Sequence, residues 1–280
     1  MNRRSFLQSA IAGAALAGNA SSLASRLRPR SVNTVLGRAD PRGLGRVLMH
    51  EHVLVDFVGA EKIAPGRYDP AEVFRIALPH LQKLKSVGCN TLVDCTPAYL
   101  GRDPALLRRL AKAAGLTIIT NTGLYGAAND KYVPSFAYRE TAEQLAARWV
   151  AEFRNGIDHT EIRPGFIKIG VDSGPLSAID AKLVAAAALT HRQTGLAIAS
   201  HTGDGEAAMA QLDLLKKHDV RPSAFIWVHA QNEKDQSLHR RAAEMGAWVE
   251  FDGIAPKSIA THTELVLAMR EHGLLSHVLD

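Results

Sequence analysis

The stretch RVLMHEHVLV, residues 46–55, begins as an apolar strand and then places two histidines around a glutamate. Residues two apart in a strand point to the same side, so His50 and His52 face one way and Glu51 faces the other. Neutral imidazole is a common ligand for metal ions in proteins. The stretch therefore predicts a buried strand whose carboxyl end binds a metal ion.

Further apolar runs follow along the chain, separated by longer stretches with helical periodicity. The helical stretches before four of these runs end at Gly88, Gly115, Gly195 and Gly246, which is typical of a helix C-terminus before a short connection. Near-continuous apolar strands separated by helices indicate a parallel sheet covered by helices. The predicted strands are residues 46–52, 90–95, 116–121, 165–170, 196–201, 224–229 and 247–252, with residues 277–280 starting an eighth.

This α/β pattern predicts a (β/α)8 TIM barrel, preceded by a small hairpin in residues 31–45. The eighth strand has only residues 277–280, so we expect a barrel that is truncated at strand 8. The alternative is an open, doubly wound parallel sheet. No G-x-G-x-x-G sequence follows the first strand and the chain contains no P-loop sequence, so nucleotide binding has no support.

The first 30 residues have the features of an export signal. Arg3 and Arg4 precede Phe6 and a short apolar stretch, and small residues follow. This arrangement predicts a twin-arginine-type signal peptide and a periplasmic or secreted protein. The alternative, an N-terminal membrane anchor, is disfavoured because the apolar stretch is short and rich in alanine and glycine. No later stretch is long and apolar enough to span a bilayer. We therefore predict no membrane span beyond the leader, and we divide the chain into a leader, residues 1–30, and a barrel domain, residues 31–280.

The charge distribution argues against nucleic-acid binding, and the cysteine positions argue against a disulfide bond. The net charge of +5 comes from the five arginines of the leader, because the remaining 28 basic residues equal the 28 acidic ones. A neutral barrel domain gives no electrostatic reason to expect nucleic-acid binding. Cys89 and Cys95 lie on one predicted strand, roughly 20 Å apart along it, which is beyond the reach of a disulfide bond.

Polar residues recur at the carboxyl ends of the predicted strands, which meet at one mouth of a barrel. Besides His50 and His52, these residues are Lys168, His201, His229 and Asp252. Four histidines at the ends of three strands predict a metal centre at this mouth. The other histidines fall on helical or loop segments and are predicted to be solvated: His80, His159, His191, His218, His239, His262, His272 and His277.

Lys168 lies within the apolar run Phe-Ile-Lys-Ile, where an unpaired ammonium group is strongly unfavourable. One interpretation is a buried ion pair with Asp94 or Asp252. The other is a lysine that loses its proton, takes up CO2 and becomes a carbamate able to bridge two cations. An anionic bridge with four imidazoles suits two metal ions about 3.5–4 Å apart with a hydroxide between them.

These residues belong to a series of motifs that extends from about Val32 to the chain end. The motifs are MHEH, GCNTLVDCTPAYLGRD, ITNTGLYG, GFIKIGVDSGPLS, SHTGDGE and VHAQNE. In content and order they resemble the phosphotriesterase family of the amidohydrolase superfamily, and the leader is similar to that of a twin-arginine-exported member. The resemblance covers nearly the whole barrel domain.

The resemblance implies a complete ligand set for two divalent metal ions. Zinc is expected, and the same ligands would also accept Mn, Co or Fe. Asp280 is the one candidate for the final metal ligand and catalytic aspartate of strand 8, Asp252 would support the ligands from outside, and Tyr125 would line the substrate pocket. The metal ligands would be His50 and His52 for the buried ion, His201 and His229 for the exposed ion, and N6-carboxylated Lys168 as the bridge.

Two positions depart from the family pattern. Phosphotriesterases proper carry an aspartate three residues beyond the strand-6 histidine and a histidine directly after the strand-7 aspartate, and this pair relays protons away from the site. Asn232 and Gly253 occupy these positions here. We therefore expect slower triester hydrolysis and a shift towards lactones or carboxylic esters.

The resemblance implies a hydrolase that uses a hydroxide between two metal ions to attack phosphotriester, lactone or carboxylic ester bonds. Its substrate would be a small-molecule ester, lactone or organophosphate. We expect no nucleic-acid partner and no stable membrane span, and a homodimer is compatible with the sequence. One alternative is a mononuclear amidohydrolase such as a deaminase, which needs no bridging lysine. Another is a non-catalytic binding protein on a decayed barrel.

Overall fold

Strands and helices alternate along the computed structural model, which describes residues 31–279. The strands are β1 (Val32–Thr34), β2 (Gly37–Ala39), β3 (Val47–Glu51), β4 (Thr91–Asp94), β5 (Thr117–Ile119), β6 (Asn121–Thr122), β7 (Phe166–Val171), β8 (Ile198–Thr202), β9 (Phe225–Val228), β10 (Trp248–Glu250) and β11 (Val278–Leu279). The helices are α1 (Pro70–Ser86), α2 (Pro104–Ala114), α3 (Ser135–Arg139), α4 (Ala142–Asn155), α5 (Ala178–Thr194), α6 (Gly205–Lys217), α7 (Gln236–Glu244) and α8 (Ile259–Glu271). Every predicted strand corresponds to one or two of the strands from β3 to β11.

The strands from β3 onward pair in parallel and in sequence order. One run contains β3, β4 and β5, and the next contains β6 to β11. Only Thr120 separates β5 from β6, so these are two parts of one barrel strand. An open doubly wound sheet would reverse its strand order at a switch point. The order found here is that of a (β/α)8 TIM barrel, as predicted.

The hairpin predicted before the barrel is also confirmed. β1 and β2 pair antiparallel, with Val32 opposite Ala39. The amide of Val35 donates to the carbonyl of Ile118 at 2.9 Å, and Asn33 Nδ2 donates to the carbonyl of Pro164 at 3.0 Å. Both carbonyls lie near the amino-terminal ends of barrel strands, so the hairpin lies across the end of the barrel opposite the predicted metal site.

The helix ends follow from local sequence signals. The Asp103 side chain accepts a hydrogen bond from the Leu106 amide at the start of α2, and Thr141 and Gln144 form a capping box at the start of α4. Gly115 and Gly195 end α2 and α5 in the left-handed conformation that glycine adopts without steric cost. These ends set the short connections that bring each strand back into the sheet.

Apolar side chains fill two layers. A larger cluster packs the helices against the outside of the sheet, and Phe225 and Trp227 of β9 belong to it. The alternate residue Val228 belongs to a smaller cluster inside the barrel, which draws on five strands. Its buried members are Val93, Cys95, Ile119, Phe166, Ala199 and Val228. The predicted metal site therefore lies above a barrel interior that is filled by apolar side chains.

Gly123, directly after β6, brings this segment against β7. Its φ of 126° lies in a region that other residues rarely adopt, and a Cβ atom there would sit 2.1 Å from the carbonyl oxygen of Lys168. Only glycine allows the two backbones to approach this closely. The close approach helps to fix the part of β7 that carries Lys168.

Several predictions about the chain ends lie outside the described residues. These are the export signal in residues 1–30 and the role of Asp280, and both stay predictions. Within residues 31–279, no helix is long and apolar enough to cross a bilayer. Cys89 and Cys95 are both buried with free thiols.

Candidate metal centre

The four histidines predicted to bind metal converge at one mouth of the barrel. The ring centroids of His50 and His229 are 4.8 Å apart, and those of His201 and His229 are 4.5 Å apart. His50 lies one residue before the end of β3, and the ring centroid of His52, just beyond the strand, is 5.2 Å away. Residues distant in sequence thus meet because parallel strands end on the same face.

The geometry of His50 and His52 fits a shared metal ion. Their Nε2 atoms are 3.3 Å apart and neither atom is held by a carboxylate. Two nitrogen ligands at about 2.0–2.1 Å from a tetrahedral zinc ion lie about 3.3–3.4 Å apart. Nδ1 of His52 is 2.9 Å from the hydroxyl oxygen of Thr96, which fixes the ring on its other side. The pair is therefore preorganised to bind one ion.

Asp252 lies close to two of the histidines, His229 and His50. Its Oδ1 lies 2.7 Å from Nδ1 of His229 and accepts a hydrogen bond from Nε2 of Gln231 at 2.7 Å. Its Oδ2 lies 3.2 Å from Nδ1 of His50. Although burial acts in the opposite direction, the hydrogen bond from His229 lowers the pKa of Asp252. The carboxylate therefore stays ionised. It holds the ring of His229 from outside and lies beside the ring of His50 without a hydrogen bond to it.

Asp252 also takes part in a group that could hold a cation by itself. His50, His229 and Asp252 each offer one ligand atom, and these atoms lie within 4.8 Å of one another. Two roles thus remain open for this carboxylate, an outer support of the imidazoles and a direct metal ligand.

The imidazoles of His52 and His201 are kept in the neutral form that binds metal. Burial, followed by the nearby charge of Lys168, lowers the pKa of His52 to about 4 and that of His201 to about 3. Neutral imidazole has a free lone pair, whereas the imidazolium ion has none. His52 and His201 are therefore ready to bind cations near neutral pH.

Lys168 lies in the middle of β7 and is 1% exposed. Its Nζ has no hydrogen-bond partner among the described residues. Asp94 instead accepts from the Val53 amide at 2.9 Å, and Asp252 is engaged by His229. The pairing of Lys168 with either carboxylate, one of the two interpretations of the sequence, is not found. Burial lowers the pKa of Lys168, which favours the neutral amine that carboxylation requires.

Tyr125 lies at the rim of the same site. It forms an isolated parallel bridge with Gly170, and its ring centroid is 5.1 Å from that of His201. The ring centroid of Tyr132 lies 5.8 Å from that of Tyr125, in an edge-to-face arrangement. These two aromatic rings beside His201, a predicted metal ligand, suit the predicted contact of Tyr125 with substrate.

Two histidines predicted to be solvated are in fact buried. His239 is 1% exposed, packs against Trp227, and its Nε2 lies 2.7 Å from the carbonyl oxygen of Ala230. His262 is 6% exposed, and its Nε2 lies 2.9 Å from the carbonyl oxygen of Asp252. That prediction was wrong because α7 and α8 turn these residues towards the sheet. His262 thereby fixes the backbone beside the metal site.

The two positions that depart from the family pattern carry no proton relay. The backbone N–H of Asn232 donates to the backbone carbonyl of His229 at 3.1 Å, and Gly253 has a φ of 68°. Gln231 contacts Asp252 from this side instead, at 2.7 Å. Sequence reasoning missed Gln231, Thr96 and Glu250, because none of them belongs to a ligand spacing that can be recognised without the fold.

Comparison with known proteins identifies the family. Residues 30–279 match the model of the phosphotriesterase family. A phosphotriesterase homology protein of Escherichia coli is 29% identical over 244 residues, which cover 86% of this chain and 81% of the relative. The organophosphorus hydrolase of Deinococcus radiodurans superposes with a TM-score of 0.79 at 28% identity, covering 90% of this chain and 80% of the other.

A further solved structure is described as molecular engineering of organophosphate hydrolysis activity from a weak promiscuous lactonase template. It superposes with a TM-score of 0.79 at 27% identity and covers 89% of this chain and 80% of the other. These structures share the barrel, and the family model spans all the residues of the site described above. The chain belongs to the phosphotriesterase family.

Proposed function

We propose that the chain is a metal-dependent hydrolase with a binuclear centre that cleaves lactone, carboxylic ester or phosphotriester bonds. One observation carries the proposal: four imidazoles converge at the mouth of the barrel beside Lys168, whose buried amine has no hydrogen-bond partner among residues 31–279. Burying an unpaired amine costs desolvation free energy that no contact offsets. If Lys168 were carboxylated between two cations, its buried side chain would be paired and the cost would be offset.

The residues of the centre would divide the work as follows. His50 and His52 would hold one ion, and His201 and His229 the other. The neutral amine of Lys168 would form an N–C bond with CO2 and release one proton, giving an N6-carboxylate that binds both ions. Thr96 would orient the ring of His52 and Asp252 would orient the ring of His229, in each case by a contact with the Nδ1 atom of the histidine. When bound, the two ions would supply an acidified water as nucleophile and polarise the bond under attack.

Two observations support a substrate class. Relatives and structural neighbours are named for organophosphorus hydrolysis and for a promiscuous lactonase. Without an aspartate–histidine relay beside Asp252, the proton released by the nucleophile has no protein route outwards through Asn232 or Gly253. Ring opening of a lactone produces an alkoxide that can take up this proton itself, so this reaction suits the site better than fast hydrolysis of triesters with acidic leaving groups. Tyr125 would contact the substrate at the rim.

A mononuclear amidohydrolase is the second candidate. Its support is the compact group of His50, His229 and Asp252, in which three ligand atoms lie within 4.8 Å of one another. Such a site would need no bridging lysine and would leave the buried amine of Lys168 unexplained. A deaminase would be the expected activity of this kind of centre.

An activity screen tests the proposal. Purified protein would be loaded with zinc, cobalt or manganese in the presence of bicarbonate and assayed on lactones, aryl esters, paraoxon-type triesters and nucleobases. We expect lactones or aryl esters to be hydrolysed with a higher kcat/KM than triesters, and activity to disappear with a chelator. Turnover of nucleobases alone would favour the mononuclear candidate, and no turnover at all would favour a binding protein.

Two histidine variants serve as controls in the same screen. His201→Ala removes a predicted ligand and should remove activity. His80→Ala changes an exposed helical histidine and should leave activity unchanged. Equal activity of both variants would show that the hydrolysis does not depend on the metal centre.

A further inference from the structure

Glu250 is a second charged residue buried inside the barrel, and nothing in the fold explains it. The side chain is 3% exposed at the end of β10, and its Oε1 has no hydrogen-bond partner among the described residues. Buried polar atoms in native proteins are nearly always paired, so an unpaired carboxyl oxygen needs a reason.

The position of Glu250 relates it to the metal centre. Strand alternation places Glu250 and Asp252 on the inner side of the barrel, while Val249 and Phe251 pack in the outer layer. Oε1 of Glu250 lies 3.8 Å from Nδ1 of His50. Glu250 therefore lies directly behind His50, which would hold the buried ion.

His50 lacks the outer hydrogen bond that two other predicted ligands have. Nδ1 of His52 lies 2.9 Å from Thr96, and Nδ1 of His229 lies 2.7 Å from Asp252. Nδ1 of His50 is buried and has no hydrogen-bond partner in the described part of the chain, because Oδ2 of Asp252, 3.2 Å away, is not aligned for a hydrogen bond. An approach of less than about 1 Å would bring Glu250 into hydrogen-bond distance of it. Metal-binding histidines almost always have such a partner.

We propose that Glu250 is a positioning residue of the metal centre, which accepts a hydrogen bond from Nδ1 of His50 and balances part of the cation charge from the barrel interior. The inference rests on the proposed metal centre. Two divalent ions would carry a large positive charge, and four neutral imidazoles offset none of it. The bridge at Lys168 and the carboxylate of Asp252 offset only part of this positive charge. Glu250 supplies one more negative charge without direct coordination.

The test compares Glu250→Gln with a matched control. Asp180→Asn also neutralises a buried carboxyl group with an unpaired oxygen, but this group lies in α5 and interacts with Ser177. Affinity for zinc and for cobalt would be measured by competition with a chromophoric chelator, and the cobalt absorption spectrum would report the ligand geometry. The melting temperature of each metal-free protein would report folding.

We expect Glu250→Gln to lower metal affinity about 10- to 100-fold and to change the cobalt spectrum. Its metal-free form should melt at the wild-type temperature or above, because a buried unpaired carboxylate has been removed. Asp180→Asn should bind metal like wild type. Glu250→Asp, which keeps the charge but retracts it, should lie between wild type and Glu250→Gln and serves as the second variant if Glu250→Gln does not fold.

Two results would overturn the inference. One is a Glu250→Gln protein that binds metal with wild-type affinity. The other is a metal-free form that melts well below wild type with an unchanged cobalt spectrum, since that pattern describes a structural residue. If the wild-type protein itself takes up no metal, the proposed function fails; if wild type is loaded and Glu250→Gln is loaded equally, only the role of Glu250 fails.

Discussion

Replacing Lys168 with alanine is expected to lower hydrolase activity by at least about a thousandfold, because the site loses the anion that would hold two cations together. The loss should come with fewer metal equivalents per chain. Short carboxylic acids such as acetate or propionate should restore part of the activity of Lys168→Ala, since they fit the space left by the side chain and supply a substitute carboxylate. Steady-state kinetics with and without added acid measure both effects.

Two controls make the Lys168 result specific. Added alkylamines should not restore activity, and restoration by amines instead of acids would show that the ammonium form is the functional one. Lys168→Met keeps the length of the side chain without its amine, and it should leave the metal-free protein at least as stable as wild type, because the buried amine has no partner among the described residues. Near-normal activity and metal content in Lys168→Ala would favour the mononuclear candidate.

Replacing Asp252 with alanine is expected to weaken metal binding about 10- to 100-fold. The carboxylate is hydrogen-bonded to His229 and Gln231 and lies 3.2 Å from Nδ1 of His50, so its removal frees the ring of His229 and takes a negative charge from beside His50. Asp252→Asn keeps an oxygen that can accept from His229 but loses the charge, and it should bind metal with intermediate affinity. Chelator competition and metal analysis after gel filtration provide the measurement.

The matched control for Asp252 is Asp213→Ala, which removes an exposed carboxylate from α6. It should bind metal like wild type. If Asp252→Ala also kept wild-type affinity and activity, Asp252 would be neither a ligand nor a support of the imidazoles, and the contacts with His50 and His229 would have no function in the centre.

The convergence of the site could be predicted from the sequence because it depends on two simple regularities. Parallel strands end on one face, and residues two apart in a strand share a side. His50 and His52 therefore had to point together, and His201 and His229 had to join them. Lys168 was recognisable for the same reason, since its apolar neighbours on β7 left it no exposed position.

Other features depend on tertiary neighbours that no local pattern indicates. The third barrel strand is interrupted at Thr120, whose carbonyl accepts from the Gly165 amide at 2.8 Å, and a single apolar run does not predict such a break. His262 reads as a polar residue of α8, yet it is bonded to the backbone of Asp252. Glu250 follows Val249 in an ordinary strand pattern, and only the closed arrangement of strands places it behind His50.

The central claim is that four histidines and a carboxylated lysine hold two metal ions. The most direct test is the metal content of the full chain, reconstituted with zinc and bicarbonate and freed of loose metal by gel filtration. A binuclear centre predicts about two equivalents of zinc per chain. Fewer than about one equivalent under these conditions would contradict it.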